Sequence, residues 1–478
     1  MPTVNKQSLR DEIDRLQEEF NSLSSKEKLS PAAKALFAGL MTIVKIMLAI
    51  FLEKTTKKNS RNSSIPPSQT KKDNSSTDTK TNSNGKSEKT TRAANTRTIE
   101  TTEIIPVDRC EHCGADLSKE ACTHHERRTR IDIIFEKTQE NFDAEIKECP
   151  ECQKITKGKF PKWLSGPLQY GNGIKAYIIQ LLVKQMISLN RAKKMIASMI
   201  GNTISEATML GYILMLYVVL EPWENKARET ILGKKVINCD ETSMRVNKKK
   251  HWVHSYSSGD IVIKLLHRKR GTDAINEFNI IPRYGGVIIH DCWRSYLGYD
   301  NCLHGLCGSH LLRELTHVIE SNGYKWAKNL KKLLSEYCSK VSNLEEKILS
   351  ETEYAKLQKS YRTILTCGKK ELPEIPKKPN GKRGKIAKSD AHNLWERFEK
   401  YEKEVLLFAK LPFVPFTNNR AEQDLRMGKV KQKVSGCFRT EKYAKAYCRI
   451  SSYLDTMANK GINPLIAVQM ALTGEIYK

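Results

Sequence analysis

The chain has 478 residues, room for about three folded units, and carries 81 Lys and Arg against 54 Asp and Glu, a formal net charge of +27. So basic a chain repels itself without a polyanion, which points to DNA, RNA or an anionic membrane as partner. Its 13 cysteines are odd in number and partly grouped as C-x-x-C, and the opening MPTVNKQSLRDEIDRL lacks the charged-then-apolar order of a secretory signal; a disulfide-stapled secreted protein is excluded, and a cytoplasmic, reduced setting is expected.

Residues 1–53 read as amino-terminal helices. Leu9, Ile13, Leu16, Phe20 and Leu23, then Leu36, Leu40, Ile43, Met47 and Ile50, step by four and three on either side of Pro31. The stretch Ala35 to Leu52 is just long enough to span a membrane. The repeat shared with the earlier run is explained by helix pairing and not by lipid, so a coiled coil and a homo-oligomer are expected, with no membrane. Residues 54–105 are Ser, Thr, Asn and Lys with few apolar side chains, a basic linker unable to bury enough surface to offset chain entropy.

A cysteine module follows over 106–155. CEHC supplies Cys110 and Cys113, and CPEC supplies Cys149 and Cys152. Four thiolates on two knuckles suit one structural Zn²⁺, with no coordination position left for water. Cys122, His124 and His125 lie between and could replace one ligand. The alternation in TRIDIIFEKTQENFDAEIKEC predicts a strand or two between the knuckles. Residues 156–230 are predicted helical. LNRAKKMIASMIG ends on Gly201, and a new helix opens at Ser205, a good N-cap. Helix, short turn, helix matches a helix-turn-helix, with Ser205, Glu206 and Thr208 placed to contact DNA; plain helical bundles use the same pairing.

From 231 to 440 the pattern changes. KKVINCDETSMRV is an apolar run ending in Asp240. HWVHSYSS and DIVIKLLHRKR follow as strands, TDAINEFN as a helix, and GGVIIHDCWRSY as a buried strand ending in Asp291. Three strands, a helix and a fourth strand is the order of the α/β ribonuclease-H-like fold. Side by side, the first and fourth strands would bring the two aspartates together. Two divalent ions roughly 4 Å apart need bridging carboxylates, and oxygen ligands favour Mg²⁺. The third carboxylate is expected on a later helix, at Glu422, with Asn418 or Asn419 as cap. Arg426, Lys429 and Lys433 share its face and suit a phosphodiester backbone. Asp424 leaves that helix on the other side. Residues of about 320–405 read as a charged helical insertion with a Lys-rich loop, and 441–478 as a carboxy-terminal helical region.

The chain resembles the insertion-sequence transposases of family sixty-six. The likeness rests on VINCDETSMRV, IIHDCWRSY, CGSHLLREL and above all TNNRAEQDLRMGKVKQKVSGCFRT with SSYLDTMANKGINPL. QYGNGIKAYIIQLL, the cysteine module and KNSRNSSIPPS extend it over most of the chain. It implies a DDE strand transferase acting on double-stranded DNA with two Mg²⁺ on Asp240, Asp291 and Glu422. It also implies that His310 and Arg313 sit beside the active centre; for Cys307 and His310 a zinc role is the lesser reading. His254 stands where an aromatic residue is common. Companion proteins of the same element and association with the bacterial nucleoid are compatible with this reading. A related ribonuclease-H-like nuclease or integrase, or a non-catalytic zinc-containing DNA-binding regulator, are the alternatives.

Overall fold

In a computed structural model, residues 101–131, 137–372, 375 and 388–476 are described, with single positions before residue 63. Most of the amino-terminal heptad run, nearly all of the linker and the Lys-rich loop lie outside them. Among the described residues no helix is long and apolar enough to cross a membrane. The chain divides into two units: Met1–Lys86, Glu224–Gln432 and Gly436–Cys448 form one, and Ser87–Trp223, Lys433–Ser435 and Arg449–Lys478 the other.

The second unit begins with the cysteine module, where β1 (Ile146–Glu148) and β2 (Ile155–Lys157) pair antiparallel around the second knuckle. Helix α1 (Asn172–Ile179) runs into a π turn at Gln180–Lys184, and α2 (Leu189–Ile200) stops on Gly201 at φ 72. Only glycine takes that conformation without strain, so the predicted turn has its physical reason. Helix α3 (Glu206–Val219) starts at Ser205, whose hydroxyl accepts the Thr208 amide as predicted. It buries Met209, Tyr212, Ile213 and Leu216.

After α4 (Glu221–Leu232), which enters the first unit at Glu224, come β3 (Val236–Val246), β4 (Lys249–Ser258) and β5 (Ile261–His267). β4 turns into β5 at Gly259, φ 53. Helix α5 (Thr272–Phe278), β6 (Val287–His290) and β7 (Leu303–Leu306) complete a five-stranded sheet in the order β5-β4-β3-β6-β7. β3 is antiparallel to β4 and parallel to β6. The mixed α/β architecture with first and fourth strands adjacent fits the expected ribonuclease-H-like domain.

Helices α6 (Gly308–Asn322), α7 (Lys325–Asn343), α8 (Glu351–Glu371) and α9 (Asp390–Lys400) come next. Trp326, Leu330, Tyr361, Trp395 and Phe398 join Val287, Ile289 and Leu306 of the sheet in one apolar cluster. The helical insertion thus shares the core of β6 and β7. Helix α10 (Asn419–Ser435) carries the predicted third acid, and α11 (Glu441–Asn459) and α12 (Pro464–Leu472) close the described chain.

Candidate active site

The two aspartates are set by strand register. Val236 pairs with Val287 and Asn238 with Ile289, an offset of 51 residues. The same offset relates Asp240 to Asp291, so the parallel ladder carried two residues further brings them level. Asp291 follows the last residue of β6, as expected. Asp240 does not end its strand: β3 continues to Val246, held by β4, while pairing to β6 stops at Asn238. Within DETSMRV, Glu241, Met244 and Val246 are buried, and the strand keeps going past the acid. Beyond Asp291 the chain turns sharply. Trp293 donates its amide to Asp291 Oδ1 at 3.1 Å, and Cys292 holds φ 68. A non-glycine residue there is strained, a feature that gathers at functional sites.

Glu422 arrives by a zipper between two motifs. In CGSH, Cys307 precedes α6; in FTNNRAE, Asn418 precedes α10. Gly308 donates its amide to the carbonyl of Phe416 at 2.8 Å, and its missing side chain leaves room for the Phe416 ring. The Asn418 amide donates to Cys307 Sγ at 3.1 Å. Ser309 Oγ donates to Asn419 Oδ1 at 3.3 Å. His310 Nδ1 lies 3.4 Å and an Arg313 guanidinium nitrogen 3.7 Å from Glu422 Oε1. Asn418 occupies the cap position, but its side chain makes no capping bond. It reaches β3 instead: Nδ2 donates to the Cys239 carbonyl at 2.7 Å, and Oδ1 accepts from Asn238 Nδ2 at 2.9 Å. The helix bearing Glu422 is therefore fastened to the strand bearing Asp240. The capping role expected of Asn418 gives way because a buried amide gains more from two interior partners than from one exposed helix end.

Burial, then repulsion from Glu241 and Asp291 and more weakly from Glu422, pushes the Asp240 carboxyl well above the usual range. Such crowding of carboxylates is relieved by divalent cations, so the donor set fits the expected ions. Sequence reasoning passed over Glu241. Its carboxylate is buried, held by Arg270 at 2.5 Å and by the Tyr296 hydroxyl at 2.8 Å. Burial and Asp291 nevertheless raise it to about 7. Arg270 is in turn stacked on Trp293 at 4.2 Å and Trp252 at 4.9 Å. The signals available were a buried-strand Asn two residues before Asp240 and a second acid directly after it.

The basic stripe on α10 is split. Arg426 and Lys433 are exposed. Lys429 is not part of an open face: its ammonium donates to the Ser243 carbonyl at 2.7 Å and hydroxyl at 3.0 Å, and burial lowers its pKa. It ties α10 to β3. In the second unit, Thr208 is exposed and Glu206 partly so, while Ser205 Oγ and Thr208 Oγ1 are 2.8 Å apart within the cap itself.

The two cysteine knuckles have the same build. Gly114 donates to Cys110 O at 2.9 Å and Gln153 to Cys149 O at 2.8 Å. Cys110 donates to Ala115 O and Cys149 to Lys154 O, and Gly114 and Gln153 both hold positive φ, 74 and 54. Hydrogen bonds to neighbouring amides lower the thiol pKa of Cys110 and of Cys149. The donor atoms of Cys307, His310 and Glu422 also lie within 4.8 Å of one another.

A family model described as Transposase IS66 family matches residues 167–446, more than half of the chain and including all three acids. No curated protein matches it. With the sheet order, the level aspartates and the glutamate helix fastened beside them, this match assigns the chain to the IS66 family of transposases.

Proposed function

We infer that this chain binds double-stranded DNA at the ends of an insertion sequence, cuts there, and joins the freed 3′-hydroxyl to target DNA. The observation that carries the reading is the fastening, through Asn418, of the helix bearing Glu422 to the strand of Asp240, whose register with β6 leads to Asp291. Asp240, Asp291 and Glu422 would hold two Mg²⁺. When bound, those ions activate the attacking oxygen and steady the leaving one. The chain's own groups set the stage. Asn418 and Lys429 lock the backbone of α10 to β3. Arg270 and Tyr296 take both oxygens of Glu241, which would keep it from serving as a ligand. Exposed Arg426 and Lys433 are suited to phosphate oxygens.

End recognition falls to the second unit in this reading. The exposed first turn of α3, with Glu206 and Thr208, is the candidate for base contacts, and Cys110, Cys113, Cys149 and Cys152 for one structural Zn²⁺. The amino-terminal heptads would join copies into a homo-oligomer. The test is Mg²⁺-dependent nicking of a labelled duplex carrying the element end. Nicking confined to element-end DNA supports a transposase; equal cutting of any duplex points to a general nuclease, and binding without cutting to a regulator.

A further inference from the structure

Cys307, His310 and Glu422 present a second kind of metal chemistry beside the carboxylates. Their donor atoms all lie within 4.8 Å of one another, with 3.4 Å between His310 Nδ1 and Glu422 Oε1. Bonds of about 2.0–2.3 Å put the ligands of a tetrahedral ion roughly 3.3–3.8 Å apart, the separation that His310 and Glu422 already have. Two of the donor atoms are buried and lack a hydrogen-bond partner: His310 Nδ1 and Glu422 Oε1. Groups in that state are costly unless something else satisfies them. Arg313 is the opposing charge, but at 3.7 Å its guanidinium makes no hydrogen bond to Oε1. The sulfur is already oriented, accepting the Asn418 amide at 3.1 Å from the far side of the zipper. Cys307 occupies the cap position of α6 and His310 follows on its first turn.

We propose that Cys307, His310 and Glu422 bind a zinc-class ion, and that this ion withdraws Glu422 from the aspartates and holds cleavage off. A thiolate and an imidazole select a softer ion than Mg²⁺, which prefers oxygen and keeps its waters. The two ions therefore compete for one carboxylate without competing for one site. The effect on cleavage rests on Glu422 being an active-site acid; the binding of zinc does not.

The experiment equilibrates the full-length chain with micromolar Zn²⁺, removes free metal, and counts zinc per chain for wild type, Cys307→Ser and His310→Asn. Circular dichroism checks that each variant is folded. The same proteins are then assayed for Mg²⁺-driven nicking with and without Zn²⁺, each rate expressed against its own zinc-free value. The wild type should hold about one zinc more than either variant, and zinc should slow it at least about tenfold more than it slows them, the loss of affinity expected when a coordination shell is broken. Equal zinc content in all three proteins overturns the site. A zinc difference without a difference in inhibition overturns the hold on cleavage. Absence of Mg²⁺-driven nicking in zinc-free wild type would instead sink the acid-triad reading, since zinc content is counted without it.

Discussion

The side chains of Asn238 and Asn418 are hydrogen-bonded at 2.9 Å in the interior, 1% and 5% exposed for Asn418 and Asn238, although 180 residues separate them. Asn418 also closes on the Cys239 carbonyl. Truncating it leaves a buried carbonyl and a buried amide without partners. Asn418→Ala should cost about 2–4 kcal/mol in urea unfolding, at 1–3 kcal/mol for each orphaned group. Asn419→Ala loses one bond to Ser309 and should cost no more than about 1 kcal/mol. Similar losses for the two would remove the special role given to Asn418.

Gly308 is needed for space. A Cβ there runs into the ring of Phe416, and the backbone bond between the same two residues leaves little freedom to retreat. Gly308→Ala should destabilise by about 1–3 kcal/mol through overpacking. Gly308→Ala combined with Phe416→Leu should recover part of it. A glycine needed only for backbone freedom would show no rescue.

His254 behaves as an aromatic core residue. It is fully buried, edge-on to Phe278 at 5.2 Å. Burial, with His267 and Arg270 behind it, lowers its pKa to about 3. The unfolded chain takes up this proton near pH 6.5 and the folded chain does not. Its contribution to stability is therefore complete above about pH 6.5 and is lost as pH falls toward 3. His254→Phe removes that loss. In urea titrations the stability of the variant relative to wild type should improve by about 2 kcal/mol between pH 7 and pH 5. A constant difference at the two pH values would contradict a buried neutral imidazole.

For the cysteine module, Cys110→Ser should lose about one zinc per chain and loosen the segment 106–155, leaving the main thermal transition of the catalytic unit in place. Retention of zinc, or loss of that main transition, would contradict a separate structural site.

How much could be read beforehand is decided by whether the cause is local. The β3–β6 offset was legible because two apolar runs each reached an aspartate at equal depth. Ser205 as cap and Gly201 as stop were legible because short-range hydrogen bonding and φ decide them. The extent of β3 was not, since DETSMRV reads as polar although Glu241, Met244 and Val246 in it are buried and β4 pairs along it. Lys429 looked like one more phosphate contact, because helical spacing gives a face but not what packs against it. Glu241 was hidden behind Asp240, and only the partners Arg270 and Tyr296, folded in from elsewhere, give it a place.

The most direct test of the account is nicking of a labelled element-end duplex by Asp240→Asn, Asp291→Asn, Glu422→Gln and Asp424→Asn beside wild type. The first three keep side-chain size and remove a charge that would hold the ions, so DNA binding should survive and cutting should fall by about 10²-fold or more. Asp424→Asn should cut close to the wild-type rate, with Mn²⁺ replacing Mg²⁺ and Ca²⁺ supporting binding alone. Normal cutting by Glu422→Gln with a dead Asp424→Asn would contradict the third ligand, and normal cutting by all four would contradict the two-metal site.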